Sequence, residues 1–290
     1  MVIARLIADS AQVETQLAKL NHGLVFTDVG IGFDVDTFET RGGTLVQIAL
    51  HSPADIDVAR NIVVTHFPGC DCLITHGEVA APNLVVSDMD STMIGQECID
   101  ELADYAGLKG PIAAITERAM QGEIDFEAAL RERVALLAGL EESAIDRCLE
   151  ERIRPNPGAC ELIQALKAKG ARTVLVTGGF HHFADRVAEQ IGFDRVVGNR
   201  LAVKDGKLTG ELDGPVSDAN TKARVLAEEA INIGEGAISL ALGDGANDIP
   251  MMEAATYGIA YMAKPKAKAA ADGRIENGNL ASVLSLLGVD

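Results

Sequence analysis

The sequence has few aromatic residues and few basic ones. Phe, Tyr and Trp make up 4% of the 290 residues, with no Trp at all, and 25 Lys and Arg stand against 43 Asp and Glu, a formal net charge of -18. Nucleic acids and anionic membranes attract basic surfaces, so this charge argues against either as a partner. An anionic substrate would need a local cluster of cations to offset the acidic whole.

Cysteines are sparse, and long apolar runs are absent. The five cysteines are odd in number and scattered, which in a chain of this size predicts reduced thiols rather than a disulfide framework. Cys70 and Cys72 have no second ligand pair at zinc-site spacing. No apolar run approaches the ~20 residues of a membrane span, and the first residues become charged too soon for a signal peptide. We therefore expect a cytoplasmic protein.

Residues 1–80 predict a small domain of their own. Apolar and alternating stretches indicate strands and 3.6-residue periodicity indicates helices, in the order strand, helix, strand, strand, helix, strand. The strands are predicted at 2–8, 33–36, 45–50 and 70–75, and the helices at 11–20 and 53–63, the second opening at Pro53. This order is typical of a ferredoxin-like α+β fold. The segment has no cluster of nucleophile, base and metal ligands, so we expect the chemistry beyond it.

From residue 81 to 290 the pattern changes to apolar strands that each end in a polar turn. These strands are predicted at 84–86, 173–176 and 238–242. Apolar strands alternating with helices predict a doubly wound, Rossmann-like parallel sheet, in which ligands bind at the carboxyl ends of the strands. A helical insertion at about 96–155 directly follows the first turn, and we expect it to form a cap over the site.

Asp88 and Asp90 follow the first of these strands. Two carboxylates two residues apart also occur in calcium loops, but an EF-hand needs Gly and Glu where this chain has Met93 and Ile99. Alone, the pair could equally be a solvated turn.

The later turns add three further pieces. Thr177 and Gly178 offer a hydroxyl and a backbone amide to a phosphate, Lys222 lies near a helix start, and a third turn carries two carboxylates four residues apart with an amide between them (Asp244, Asn247 and Asp248). Such carboxylates suit a hard cation such as Mg²⁺. Each piece alone has an ordinary explanation: a turn, a surface lysine or a helix cap.

Taken in order, the four pieces resemble the haloacid dehalogenase superfamily of phosphotransferases, from about residue 83 to the end. Within it the insertion is similar to that of the phosphoserine phosphatases, in the segments 97–101, 116–120 and 130–134, and so are residues 179–180 and 260–266. Thr177 stands where many family members have Ser, and the hydroxyl is kept. The strand order of residues 1–80 is similar to the amino-acid-binding ACT type.

The resemblance implies a role for each site residue. Asp88 would be the nucleophile and a metal ligand, Asp90 the general acid and base and, through its carbonyl, a metal ligand, and Asp244 a further ligand of Mg²⁺, with Asp248 supporting them. Thr177, Gly178 and Lys222 would bind the phosphate, and Asn247 would be a further substrate-binding residue. Glu97 would bind the ammonium of phosphoserine and Arg133 its carboxylate. The expected reaction is hydrolysis of O-phosphoserine, the last step of serine biosynthesis.

Two alternative functions remain at this point, and the oligomeric state is open. The chain could be a phosphatase for another small phosphoester, or an amino-acid-sensing regulatory protein in which residues 1–80 do the work. The intact Asp88, Asp90, Lys222 and Asp244 count against the sensor. From spacing alone, Glu97 and Arg133 would be ordinary charged helix surface. A homodimer is possible.

Overall fold

The structure, a computed structural model, describes residues 1–25, 32–40, 42–51, 56–121 and 123–289. Its strands are β1 (Val2–Ala8), β2 (Phe33–Thr40), β3 (Gly43–Leu50), β4 (Asp71–His76), β5 (Leu84–Ser87), β6 (Arg172–Phe180), β7 (Arg195–Asn199), β8 (Leu201–Lys204), β9 (Lys207–Leu212), β10 (Ser239–Gly243), β11 (Tyr257–Tyr261) and β12 (Gly273–Ile275). None of the helices in these ranges is both long and apolar enough to cross a bilayer.

The helices are α1 (Val13–Val25), α2 (Ile56–His66), α3 (Cys98–Tyr105), α4 (Lys109–Met120), α5 (Phe126–Leu136), α6 (Ser143–Arg152), α7 (Ala159–Ala168), α8 (His181–Ile191), α9 (Ala219–Ile233), α10 (Ile249–Ala254), α11 (Pro265–Ala270) and α12 (Ser282–Leu287). A 3₁₀ turn at Ala246–Asp248 precedes α10. The predicted start of the second helix at Pro53 lies outside the described residues.

The N-terminal unit, from β1 to β4, is an antiparallel sheet with two helices. Its strands lie in the order β2-β3-β1-β4, and β1 pairs antiparallel with both of its neighbours. Apolar side chains that alternate along β1 and β3 pack against α1 and α2 in a core of their own. Both the order of elements and the strand order agree with the predicted ferredoxin-like fold.

The second half of the chain forms the predicted parallel sheet. Strands β12, β11, β10, β5, β6 and β7 lie side by side in that order, each parallel to the next. Helices cover both faces: Val85 of β5 packs in the layer that holds α7 and α8, whereas Leu84 and Val86 pack in the layer that holds α9 and α10. The prediction of a doubly wound α/β core is confirmed.

The two sheets are joined edge to edge. β4 pairs antiparallel with β12, which makes one ten-stranded sheet. The carboxylate of Asp71, the first residue of β4, accepts backbone N–H groups of Glu276 at 2.7 Å, Asn277 at 2.9 Å and Gly278 at 2.8 Å. The predicted boundary near residue 80 therefore lies between two strands, β4 and β5, that belong to the same sheet. The division into two domains stays a prediction.

Helices α3 to α6 form the insertion over the carboxyl end of the sheet. Its two connections to the core run side by side, since Ile94 forms a β-bridge with Pro155 and the Arg154 N–H donates to Gln96 Oε1 at 3.0 Å. The hairpin of β8 and β9 packs against α5 of the insertion, and the Gly139 N–H, just after α5, donates to the Leu208 carbonyl. The cap is thus held to the core at two places.

Candidate active site

The carboxyl ends of three parallel strands bring the predicted residues together. Asp88 directly follows β5, Thr177 and Gly178 lie near the carboxyl end of β6, and Asp244 directly follows β10. Because β10 lies beside β5 and β5 beside β6, these residues share one edge of the sheet. The first turn of α9 carries Lys222 to the same place.

Lys222 is the buried cation of the site. Its Nζ lies 2.7 Å from Asp88 Oδ1 and 2.6 Å from Asp248 Oδ1, and its side chain is 1% exposed. Burial lowers the pKa of Lys222, but the attraction of these two carboxylates more than offsets this and raises it above the usual value. Lys222 is therefore charged and fixed between two acidic side chains, since a buried charge is tolerated only when it is paired.

Asp248 orients the loop that carries Asp244. Its Oδ1 binds Lys222, and its Oδ2 accepts the backbone N–H groups of Asp244 at 3.2 Å and Gly245 at 3.0 Å. A Cβ at residue 243 would lie 2.4 Å from Asp248 Cβ, so only glycine fits there. Asp248 is fully buried and both of its oxygens are engaged by the protein.

The carboxylates can hold a divalent cation. One oxygen each of Asp88, Asp244 and Asp248 lies within 4.8 Å of the others, an all-oxygen set of the kind that Mg²⁺ prefers. Because Asp248 is engaged on both sides, Asp88 and Asp244 are the side chains left to bind the ion. Burial raises the pKa of Asp244, since desolvation outweighs the attraction of Lys264. The residues present fit a hard divalent cation.

Asp90 is held two residues beyond Asp88. Its Oδ1 accepts the Cys98 backbone N–H at 3.3 Å, at the start of α3. A Cβ at Gly179 would lie 2.9 Å from Asp90 Oδ2, so the chain of β6 approaches this carboxylate closely. Burial, and then the charge of Glu97, raise the pKa of Asp90 to about 7. Near neutral pH it can both give and take a proton.

Hydrogen bonds hold the carboxyl end of β6 in place. The Thr177 hydroxyl accepts the Gly179 N–H at 2.8 Å. The buried amide of Asn199, at the end of β7, donates to the Gly178 carbonyl at 2.7 Å and accepts the Ser217 N–H at 2.8 Å. These bonds hold the hydroxyl and amide groups at the carboxyl end of β6 in fixed positions.

A cavity of about 240 Å³ opens between this edge of the sheet and the cap. Core and cap contribute Asp88, Asp90, Glu97, Ile99, Phe126, Leu130, Arg133, Thr177, Gly178, Gly179, Phe180, Asp244, Asn247 and Lys264. Eight of the ten predicted site residues line it, and the other two, Lys222 and Asp248, lie buried directly against Asp88 and Asp244. Asn247 is exposed at this wall.

The two predicted substrate residues come from different parts of the cap. Glu97 immediately precedes α3, and its Oε1 accepts the Ser91 hydroxyl at 2.8 Å. Arg133 lies on α5, where its Nε donates to the Ala129 carbonyl at 3.3 Å, and burial lowers its pKa. Among the described residues Arg133 has no carboxylate within ion-pair distance, so most of its guanidinium donors are free.

Sequence reasoning missed three residues that touch the site. Lys264 forms an ion pair with Asp244, Asn199 donates a hydrogen bond to the Gly178 carbonyl, and Phe126 would be 3.2 Å from a Cβ at residue 178. Lys264 and Asn199 follow or end parallel strands, so the rule that found Asp88 and Asp244 could have found them. Phe126 left no such signal, because nothing in the cap sequence shows which helix face meets the core.

Comparison with known proteins agrees with this arrangement. Residues 85–253 match the family model for haloacid dehalogenase-like hydrolases. The chain belongs to this family. A phosphoserine phosphatase from Albidiferax ferrireducens is 44% identical over 209 residues, which cover 70% of this chain and 88% of that protein. Within the haloacid dehalogenase-like hydrolases, such relatives place the chain among the phosphoserine phosphatases.

Solved structures of the family extend the likeness to three dimensions. A probable phosphoserine phosphatase from Vibrio cholerae, in its unliganded form, is 31% identical with a TM-score of 0.78, covering 99% of this chain and 86% of that one. A substrate-bound phosphoserine phosphatase is 40% identical with a TM-score of 0.65, covering 70% of this chain and 97% of that one. The first likeness includes the N-terminal unit, whereas the second is confined to about the length of the phosphatase part.

Proposed function

We propose that this protein hydrolyses O-phosphoserine to serine and phosphate through an aspartyl-phosphate on Asp88. One observation carries the proposal: a buried Asp88, paired with Lys222, faces the same small cavity as the largely unpaired Arg133 of the cap. The first feature suits covalent phosphoryl transfer, and the second suits a small substrate that carries its own carboxylate.

The two oxygens of Asp88 have different surroundings. Oδ1 accepts both the Lys222 ammonium and the Met89 N–H, the latter at 2.8 Å. Oδ2 has no hydrogen-bond donor among the described residues. In the proposed first step a carboxylate oxygen of Asp88 attacks phosphorus, and the bond between phosphorus and the serine oxygen breaks.

Asp90 completes both steps by moving one proton. In the first step its carboxyl group gives a proton to the departing serine oxygen. In the second a water attacks the aspartyl-phosphate, its proton passes to the Asp90 carboxylate, and Asp88 is released. The raised pKa of Asp90, about 7, supports both roles, and the Cys98 N–H keeps the carboxyl group in place.

Positive charge and hydrogen-bond donors surround the phosphoryl group. Asp88 and Asp244, with the Asp90 carbonyl as the resemblance implies, would hold Mg²⁺, which when bound neutralises charge on the phosphate and the carboxylates. Lys222, Thr177 and the Gly178 amide would bind phosphoryl oxygens. These groups are preorganised by Asp248 and Asn199, so little rearrangement is needed as charge moves.

The cap would select the substrate. A guanidinium matches a carboxylate with two parallel hydrogen bonds, so Arg133 is suited to the carboxylate of phosphoserine. Glu97, across the cavity, would pair with its ammonium. The cavity volume of about 240 Å³ suits a substrate of this small size.

Phosphate release from a panel of esters tests the proposal. The panel contains phosphoserine, phosphoethanolamine, phosphoglycolate, phosphohomoserine and a sugar phosphate, each with Mg²⁺, with Ca²⁺ and with chelator. We expect phosphoserine with Mg²⁺ to be turned over best, and Ca²⁺ to suppress turnover, since it takes more ligands at longer distance and would misplace Asp88. Full activity in chelator or in Ca²⁺ would contradict the metal role, and preference for another ester would contradict the substrate.

We also propose that the N-terminal unit is ACT-like and ends near residue 80, and that the enzyme is cytoplasmic. The strand order of β1 to β4 and the likeness to the Vibrio cholerae protein across 99% of the chain support the first point. Homodimer formation, and the absence of nucleic-acid and membrane partners, stay predictions. Light scattering of the purified protein measures its mass in solution and so tests homodimer formation.

A further inference from the structure

Lys264 lies where the core sheet meets the candidate metal ligands. β11 ends at Tyr261, the chain turns through Met262 with a left-handed φ of 43°, and Lys264 immediately precedes α11. Its backbone N–H donates to the Asp244 carbonyl at 2.9 Å, and its Nζ lies 3.3 Å from Asp244 Oδ2. Two contacts thus tie Lys264 to Asp244, although the proposed reaction gives it no task.

Two lysines form the ion pairs of the three carboxylates Asp88, Asp244 and Asp248 within the described residues. Lys222 is engaged by Asp88 and Asp248, whereas the only ion pair that Asp244 makes within the described ranges is with Lys264. Lys264 therefore supplies to Asp244 the positive charge that a bound divalent cation would otherwise supply.

This ion pair can be exchanged easily. Asp244 is nearly buried, but the Lys264 side chain is 63% exposed and meets it through one contact. Exposed ion pairs contribute little to stability, because water and salt compete with them and the long side chain must be ordered. By contrast, Lys222 is buried and held from two sides, so it cannot leave. Of the two lysines, only Lys264 is free to give up its carboxylate.

We propose that Lys264 is an exchangeable counter-ion of Asp244, which Mg²⁺ displaces when it binds. The inference rests on the proposed metal-dependent function and adds a residue that sets the affinity for the metal. Lys264 keeps Asp244 in place in the metal-free protein and lowers the affinity for Mg²⁺. If Lys264 instead served only to bind substrate phosphate, its removal would raise KM for phosphoserine and leave metal binding unchanged.

Calorimetric titration of the full-length protein with Mg²⁺, without substrate, tests this. Lys264→Gln keeps a polar side chain, one atom shorter, and removes the charge, and we expect roughly three- to tenfold tighter Mg²⁺ binding, since an ammonium no longer competes for Asp244. Lys264→Arg keeps the charge and should bind Mg²⁺ like wild type. Lys266→Gln, an exposed lysine two residues along α11, removes the same net charge and should change nothing. The difference in Mg²⁺ affinity between Lys264→Gln and wild type should become smaller as salt is added, because salt screens the charge of Lys264.

Tighter binding is not what local damage to the site would produce, so the expected gain separates this role from a structural one. Equal or weaker Mg²⁺ binding by Lys264→Gln would overturn the inference, and so would an equal gain in Lys266→Gln. If wild type binds no Mg²⁺ at all, the metal-dependent function fails with it. If wild type binds Mg²⁺ and Lys264→Gln binds it unchanged, only the counter-ion role fails.

Discussion

The two halves of the ten-stranded sheet bury different kinds of side chain. In the described part of the N-terminal unit, buried polar residues are confined to Thr44 and Asp71, whereas the core buries Asp88, Lys222 and Asp248 within a few ångströms of one another. Both halves have apolar strands packed against helices. The sheet itself therefore does not explain the difference.

Strand direction explains it. In the parallel core every strand ends at the same edge, so the carboxyl ends of β5, β6 and β10 meet and the polar residues there form one cluster. In the N-terminal unit each strand is antiparallel to the strands beside it in the sheet, so its turns are divided between two edges. A catalytic site needs several chain segments at one place, and only the parallel half provides that.

The largest effect should come from Asp88, the buried aspartate at the edge of the parallel core. Asp88→Asn should lower turnover by a factor on the order of 10⁴ or more, because the amide has nearly the same shape but cannot act as a nucleophile. The measurement is phosphate release under saturating phosphoserine, with Asp71→Asn as the matched control from the other half. A phosphoenzyme trapped on any residue other than Asp88 would end the proposed mechanism.

A smaller effect is expected in the cap. Arg133→Ala should lower kcat/KM for phosphoserine by roughly thirtyfold to several-thousandfold, which corresponds to ~2–5 kcal/mol for a charge left without its partner. Phosphoethanolamine lacks the carboxylate, so the variant should turn it over about as well as wild type does.

The matched control for this variant is Arg131→Ala, on the same helix, whose arginine is exposed and pairs with Glu127. Arg131→Ala should leave kcat/KM for both substrates unchanged. Equal losses on phosphoserine and phosphoethanolamine in Arg133→Ala would show a structural or phosphate-directed role and remove the main support for the substrate.

Removal of the N-terminal unit should change turnover only a few-fold. A chain that begins near Ala81 keeps every proposed site residue, so it should retain Mg²⁺-dependent hydrolysis if it folds. It also loses β4, which leaves the edge of β12 unpaired, and its unfolding midpoint should therefore fall. Circular dichroism and phosphate release measure the two properties. A folded, soluble but inactive truncated chain would mean that the N-terminal unit completes the site.

The smallest effect on turnover is expected from Asp71→Asn itself. The amide would place a donor against the Gly278 N–H, which now donates to Asp71 Oδ2. We expect the free energy of unfolding to fall by about 1–3 kcal/mol, with turnover within twofold of wild type. Urea denaturation measures this, and Asp57→Asn, at an exposed position of α2, is the control. A strong loss of turnover in Asp71→Asn would show that the contact between the two sheets affects the geometry of the active site.

Much of the fold and of the site could be predicted from the residues alone. Strand ends carry polar residues in a recognisable order, so the sequence pattern was enough to assign Asp88, Thr177 and Asp244 to one edge of the sheet. Helical periodicity likewise located the cap, and the order of elements predicted the ferredoxin-like unit. These features depend on local pattern and on strand direction, both of which are written along the chain.

The remaining features depend on which distant segments meet. The pairing of β4 with β12, the three N–H groups on Asp71 and the ion pair of Lys264 with Asp244 join residues that are far apart in sequence or have no periodic pattern. Hydrogen-bond partners between strand edges are nearly interchangeable, so sequence pattern does not select among them. Packing of whole layers selects them, because it brings one particular edge or side chain within a few ångströms of another.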